Sequence, residues 1–253
     1  IRLSLVGSEM CIRDSPRTLS SPALEAQDFH SGSSYARGAQ HPPLIEQTLG
    51  AFMDGMVARH GAAEALVCVH QGLRYTYAQL QQAARQLASA LLRQGLQPGD
   101  RVGIWSHNNA EWVLLQLATA EVGLVLVNIN PAYRTSELEY ALNKVGCKAL
   151  VSMRAFKTSR YLEMVRELAP ELATCPAGRL AARRLPLLRL VCWIDVAGQG
   201  DDEAGMLRFS DLFAQGDPED AAVARIAGSL DAHDPINILS LIHISEPTRL
   251  RRI

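Results

Sequence analysis

From Asn108 to Met153 the hydrophobic pattern alternates between helical stretches and short unbroken apolar runs. Asn108 with Glu111 forms a capping-box pattern, and the helix it opens is apolar nearly all round until Gly123 stops it. Leu124 to Ile129 is a continuous apolar run with Val and Ile, as in a strand covered on both faces. Pro131 ends that strand. Ser136 with Glu139 predicts the cap of a second helix, Gly146 its close, and Ala149 to Met153 another short strand. Helix, buried strand, helix, buried strand is the order of a parallel α/β sheet.

The flanks continue the alternation. Ile45, Leu49, Phe52, Met53 and Met56 fall at helical spacing ahead of Gly61. Ala65 to Val69 and Leu73 to Tyr77 flank Gly72 and predict a β-hairpin. Thr76 with Gln79 then caps a helix whose face is Leu80, Ala84, Leu87, Ala88 and Leu91, ending at Gly95. Val102 to Trp105 reads as the strand leading into the central stretch. Further on come a helix over Ser159 to Leu172, a loop over Ala173 to Pro186 and a strand over Leu188 to Ile194. Gly198 to Gly205 is a polar loop and Glu219 to Ile226 a short helix.

Composition changes this picture little. The 253 residues have 48 % hydrophobic and 20 % charged content with a formal net charge of −1, so nothing favours nucleic acid or an anionic membrane as partner. The longest apolar stretch, Val113 to Ile129, is interrupted by Gln116, Glu121 and Gly123 and is shorter than the roughly 20 residues that cross a bilayer. Cys11, Cys68, Cys147, Cys175 and Cys192 lie far apart without a CxxC pair. Free thiols in a reducing, cytoplasmic setting are expected, rather than disulfides or a metal site.

Both ends read as foreign. Leu239 to Arg249 back-translates to a DNA stretch whose reverse complement, one base in, encodes Leu5 to Asp14 and begins a Ser codon. That DNA resembles an inverted transposase end used in sequencing adapters. Residues 1–15 and 239–253 are therefore expected to be adapter-derived, His243 included, with an irregular leader at 16–43 and an authentic domain at 44–238.

Glu111-Trp112, Ala118-Thr119-Ala120, Val127-Asn128-Ile129-Asn130-Pro131-Ala132-Tyr133-Arg134 and Glu137-Leu138-Glu139-Tyr140-Ala141-Leu142 resemble the N-terminal part of adenylate-forming enzymes, in the fatty-acyl-CoA synthetase branch. Tyr75-Thr76-Tyr77, Gly99-Asp100-Arg101-Val102 and Asp234-Pro235-Ile236-Asn237-Ile238 extend the likeness. The resemblance implies part of an N-terminal parallel-sheet subdomain, here truncated. It also implies a parent enzyme that joins a fatty acid to CoA at the expense of ATP, with Mg²⁺, through an acyl-adenylate. In such enzymes a Ser/Thr/Gly loop with a Lys, suited to phosphate, follows the Asp-Pro-Ile-Asn-Ile segment. Leu239-Ser240-Leu241-Ile242 stands there instead, so the chain by itself is expected to be inactive.

No catalytic, cofactor-binding or metal residue is assigned on this reading. His70, His107 and His233 stand at or near strand ends, where a polar structural role is the commoner one. Arg134 has two readings, contact with a CoA phosphate or a surface pair with Glu137, the second being the usual use of such a spacing. Trp105 and Trp112 are expected in the core, a border on the parent enzyme's acyl tunnel being the alternative, and Arg179, Arg183 and Arg184 on a solvated loop rather than in contact with nucleic acid or membrane. No Gly-x-Ser-x-Gly elbow exists for a hydrolase triad. The rival readings are another adenylate-forming enzyme, such as an adenylation domain or a luciferase-like protein, and a non-enzymatic α/β binding module.

Overall fold

The computed structural model describes residues 45–156, 158–195 and 202–239. Every element below belongs to one compact unit over Glu46–Leu239. The expected segments at 1–15 and 16–43, all of the expected segment 239–253 except Leu239, and residues 198–201 of the polar loop lie outside the described residues.

Helix α1 (Leu49–His60) is capped by the Thr48 hydroxyl, which accepts from the Ala51 N–H. Strands β1 (Glu64–Cys68) and β2 (Leu73–Thr76) form the expected antiparallel hairpin. They are joined by a 3₁₀ turn at Val69–Gln71 and by Gly72, whose φ of 67° a side chain would disfavour. The Thr76–Gln79 capping box is fully made and starts α2 (Tyr77–Arg93), whose Leu80, Ala84, Leu87, Ala88 and Leu91 are buried.

The main sheet begins with β3 (Arg101–Trp105), followed by α3 (Ala110–Glu121), β4 (Val125–Asn128), α4 (Thr135–Val145) and β5 (Cys147–Met153). After α5 (Tyr161–Leu168) come β6 (Leu190–Ile194), β7 (Leu207–Arg208), α6 (Phe209–Ala214), α7 (Ala221–Ala227) and β8 (Asn237–Leu239). The six strands pair in the order β7-β6-β5-β3-β4-β8, all parallel. Right-handed crossovers out of β3 to β4 and out of β4 back past β3 to β5 run in opposite directions and so place α3 and α4 on opposite faces, covering the central strands twice. Val102, Ile104, Leu126, Leu150 and Val151 accordingly sit at 0 % exposure.

Three boundaries differ from the sequence reading, each for a local reason. Asn109, not Asn108, caps α3, its Oδ1 accepting from Trp112 N–H at 2.9 Å; Glu111 is held elsewhere. The α4 cap falls at Arg134, because Glu137 Oε2 accepts the Arg134 backbone N–H at 2.7 Å, while Glu139 pairs with Arg184. The helix expected over Ser159 to Leu172 is shorter. Pro170 excludes Ala169 from helical geometry (φ −134°, ψ 70°), and the chain continues as a 3₁₀ turn at Pro170–Ala173. Strand β7 and helix α6 have no counterpart in the sequence reading.

Candidate functional site

The chain leaves β3 toward β4 on one side and returns to β5 on the other. The loops at the carboxyl ends of β3 and β5 therefore diverge, and this divergence is where open α/β sheets bind ligands. Three loops border the crevice: Ser106 to Asn109 after β3, Ile129 to Arg134 after β4, and the segment from Arg154 after β5.

The second loop is tied down from below. Trp105 at the end of β3 and Tyr161 at the start of α5 are fully buried and stack with ring centroids 4.1 Å apart. Trp105 Nε1–H donates to the Asn130 carbonyl (3.1 Å) and the Tyr161 hydroxyl to the Pro131 carbonyl (2.7 Å). The Asn130 side chain closes the turn by accepting the Ala132 N–H at 2.9 Å. Burial raises the Tyr161 phenol above its ordinary pKa, with Arg134 opposing, so it remains a donor at neutral pH. Arg134 is thus carried on a rigid turn with its side chain exposed. The expected pair with Glu137 does not form through the guanidinium: that carboxylate caps the backbone instead, and among the described residues Arg134 makes no ion pair.

His107 lies on the first loop, half-buried and stacked on Phe156 from beyond β5 (4.9 Å). His70, exposed on the turn after β1, faces it at 5.9 Å, whereas His233 is exposed on the lead into β8. Trp112 packs partly buried against the core. Arg179, Arg183 and Arg184 are exposed as expected, although Arg184 forks onto Glu139 through Nε (2.9 Å) and an Nη (2.6 Å). Along the β5–β6 rim, Arg154 and Arg208 lie over the Trp193 ring at 4.6 and 4.9 Å. Glu203 bridges Arg154 and Arg166.

The sequence reading missed the residue that joins these parts. Gln71 donates through Nε2 to both Glu111 oxygens (3.0 and 2.8 Å), and its Oε1 accepts from Ala110 N–H and from the Cys68 thiol, both at 2.8 Å. Nothing in the local pattern announces a contact across 40 positions.

The family model of the AMP-binding enzymes matches residues 54–192, from α1 through β6. The chain belongs to the AMP-binding enzyme family. It is 41 % identical over 209 residues to the medium-chain acyl-CoA ligase ACSF2, mitochondrial, of Rattus norvegicus, a match covering 82 % of this chain and 33 % of that protein. Against the ACSF2 of Danio rerio the identity is 37 % over 207 residues, 81 % of this chain and 33 % of the relative. The chain thus spans about a third of the length of the curated relatives it matches. In fold it is similar to the anthranilate CoA ligase AuaEII in complex with anthranoyl-AMP (TM-score 0.56, 21 % identity, 69 % of this chain and 29 % of that one). It is likewise similar to acetoacetyl-CoA synthetase from Streptomyces lividans (TM-score 0.55, 24 %, 66 % and 25 %).

Proposed function

We propose that this chain is the N-terminal part of an ATP-dependent fatty-acid–CoA ligase. The observation that carries the reading is the 41 % identity to a medium-chain acyl-CoA ligase across 82 % of the chain. In the proposed reaction a fatty-acid carboxylate oxygen attacks the α-phosphorus of ATP and pyrophosphate leaves. The CoA thiol, losing its proton, then attacks the acyl carbonyl and AMP leaves. Adenylation is what makes the second step feasible, since a free carboxylate resists thiol attack and a mixed anhydride does not.

The described residues supply the platform for that chemistry. Among them no three His, Cys, Asp or Glu side chains are grouped to hold a metal ion. The two rim arginines over Trp193 already have partners: Arg154 bonds to Glu203, and Arg208 donates to Asp202 at 2.7 Å. With both guanidiniums engaged by carboxylates, this rim as it stands does not fit a triphosphate. The part of the described residues is to hold the Asn130-Pro131 turn and the ends of β3 and β5 in register. The 253-residue chain alone is accordingly proposed to be inactive, because preorganised charge at the phosphates contributes several kcal/mol to such reactions.

We also propose a cytoplasmic location, supported by the free thiols Cys68, Cys147, Cys175 and Cys192. The ACSF2 relatives carry "mitochondrial" in their names, so fractionation of the source cells decides between the compartments. The catalytic proposal is tested by expressing the uninterrupted gene and measuring pyrophosphate release with ATP, CoA and a panel of acids. Release dependent on medium- or long-chain fatty acids is expected. Release only with amino acids would assign the protein to the adenylation domains instead.

A further inference from the structure

The junction between the β1–β2 hairpin and the sheet holds an unusual group of side chains. From the hairpin turn, His70 and Gln71 reach toward the start of α3; from the β3 end, His107 meets them. Gln71 clamps the carboxylate of Glu111 and takes the Ala110 N–H, which makes this amide a direct reporter of the junction. Imidazoles face each other across it at 5.9 Å, one from each side, and Cys68 Sγ lies 3.5 Å from His70 Nδ1. His107 Nδ1 is enclosed and has no hydrogen-bond partner among the described residues.

We propose that His70 and His107 form an acid-released clasp, closed while the enclosed His107 ring is neutral and loosened when acidification charges it. Histidine is the side chain whose ordinary titration falls between pH 5 and 8. The groups facing His107 are His70 from the turn after β1, Glu111 from α3 and the Phe156 ring after β5. Tyr75 of β2 faces Glu111. Among the described residues Glu111 opposes the positive charge, and its two oxygens are already engaged by Gln71. Burial first, and then His70, hold His107 below the ordinary histidine range, with Glu111 acting the other way.

A histidine with a depressed folded-state pKa favours the folded junction while it is neutral. Its contribution is complete above the unfolded value of about 6.5 and is lost as pH falls from there through the lower folded value. The experiment uses the full chain and follows the protection factor of the Ala110 amide by hydrogen exchange from pH 7.5 to 5.5, alongside NMR titration of the His107 ring. Protection is expected to fall on acidification, by about tenfold for each unit that His107 is displaced. The exposed His70→Gln change should flatten that fall and raise the midpoint of His107, and His107→Gln should flatten it as well. Unchanged protection in the unaltered chain overturns the proposal, as does an undiminished fall in H70Q. Should H107Q not fold, H70Q and the ring titration decide the matter.

Discussion

Gln71 makes four hydrogen bonds with one amide group, to Cys68, Ala110 and both oxygens of Glu111. Gln71→Ala leaves a helix N–H and a half-buried carboxylate without their partners, at a cost of about 1–3 kcal/mol for such groups. Urea denaturation should show that loss with an unchanged m-value, and a midpoint equal to that of the unaltered chain would show the clamp to be idle. The thiols offer a second check. Burial pushes the Cys147 thiol up to about 12, so that at pH 8 roughly one in ten thousand is ionised. Cys192, enclosed on every side, is also raised well above its ordinary value. Timed alkylation of the native chain should therefore label the half-exposed Cys175 well before either of these. Equal rates would mean that the sheet opens readily.

At the scale of elements, one turn carries the tie between three loops. Trp105→Phe removes the donor to Asn130 and Tyr161→Phe the donor to Pro131, each expected to cost about 1 kcal/mol beyond any packing loss. Because the two bonds hold adjacent peptide units of one turn and the two rings stack on each other, the double variant should cost measurably less than the sum in a thermal-unfolding cycle. Strict additivity would show that the turn is held by something else. Much of this architecture was legible in the chain. Continuous Val- and Leu-rich runs marked β4 and β5 as covered on both faces, and Thr76 with Gln79 gave the start of α2 to the residue. The errors came where two local signals competed. Asn108 and Asn109 are equally good caps by residue type, and the contacts that accompany the use of Asn109, Gln71 on Glu111 and Ser106 on Asn109, are not visible in the local pattern. Strand β7 has two residues and α6 six, too short for either period to show. The crevice itself was not legible, since it depends on strand order, and the His107–Phe156 contact joins loops from different crossovers.

On the scale of the whole molecule, the sheet among the described strands ends at β8, where Ile238 and Leu239 are 37 % and 58 % exposed. An apolar edge of this kind recruits other strands. The 253-residue chain is expected to self-associate, and Ile238→Lys to lower the apparent mass in light scattering at the same concentration. No change would place the association elsewhere. Conserving the sheet while leaving the chemistry to other segments is also what the central claim requires, that these residues are the opening platform of an acid-activating ligase. The most direct test compares two purified proteins, the 253-residue chain and the product of the uninterrupted gene, for pyrophosphate release with fatty acid, ATP and CoA. Turnover by the longer protein and none by the shorter is the expected result. Turnover by the short chain, or silence from both with every acid tried, would contradict the account.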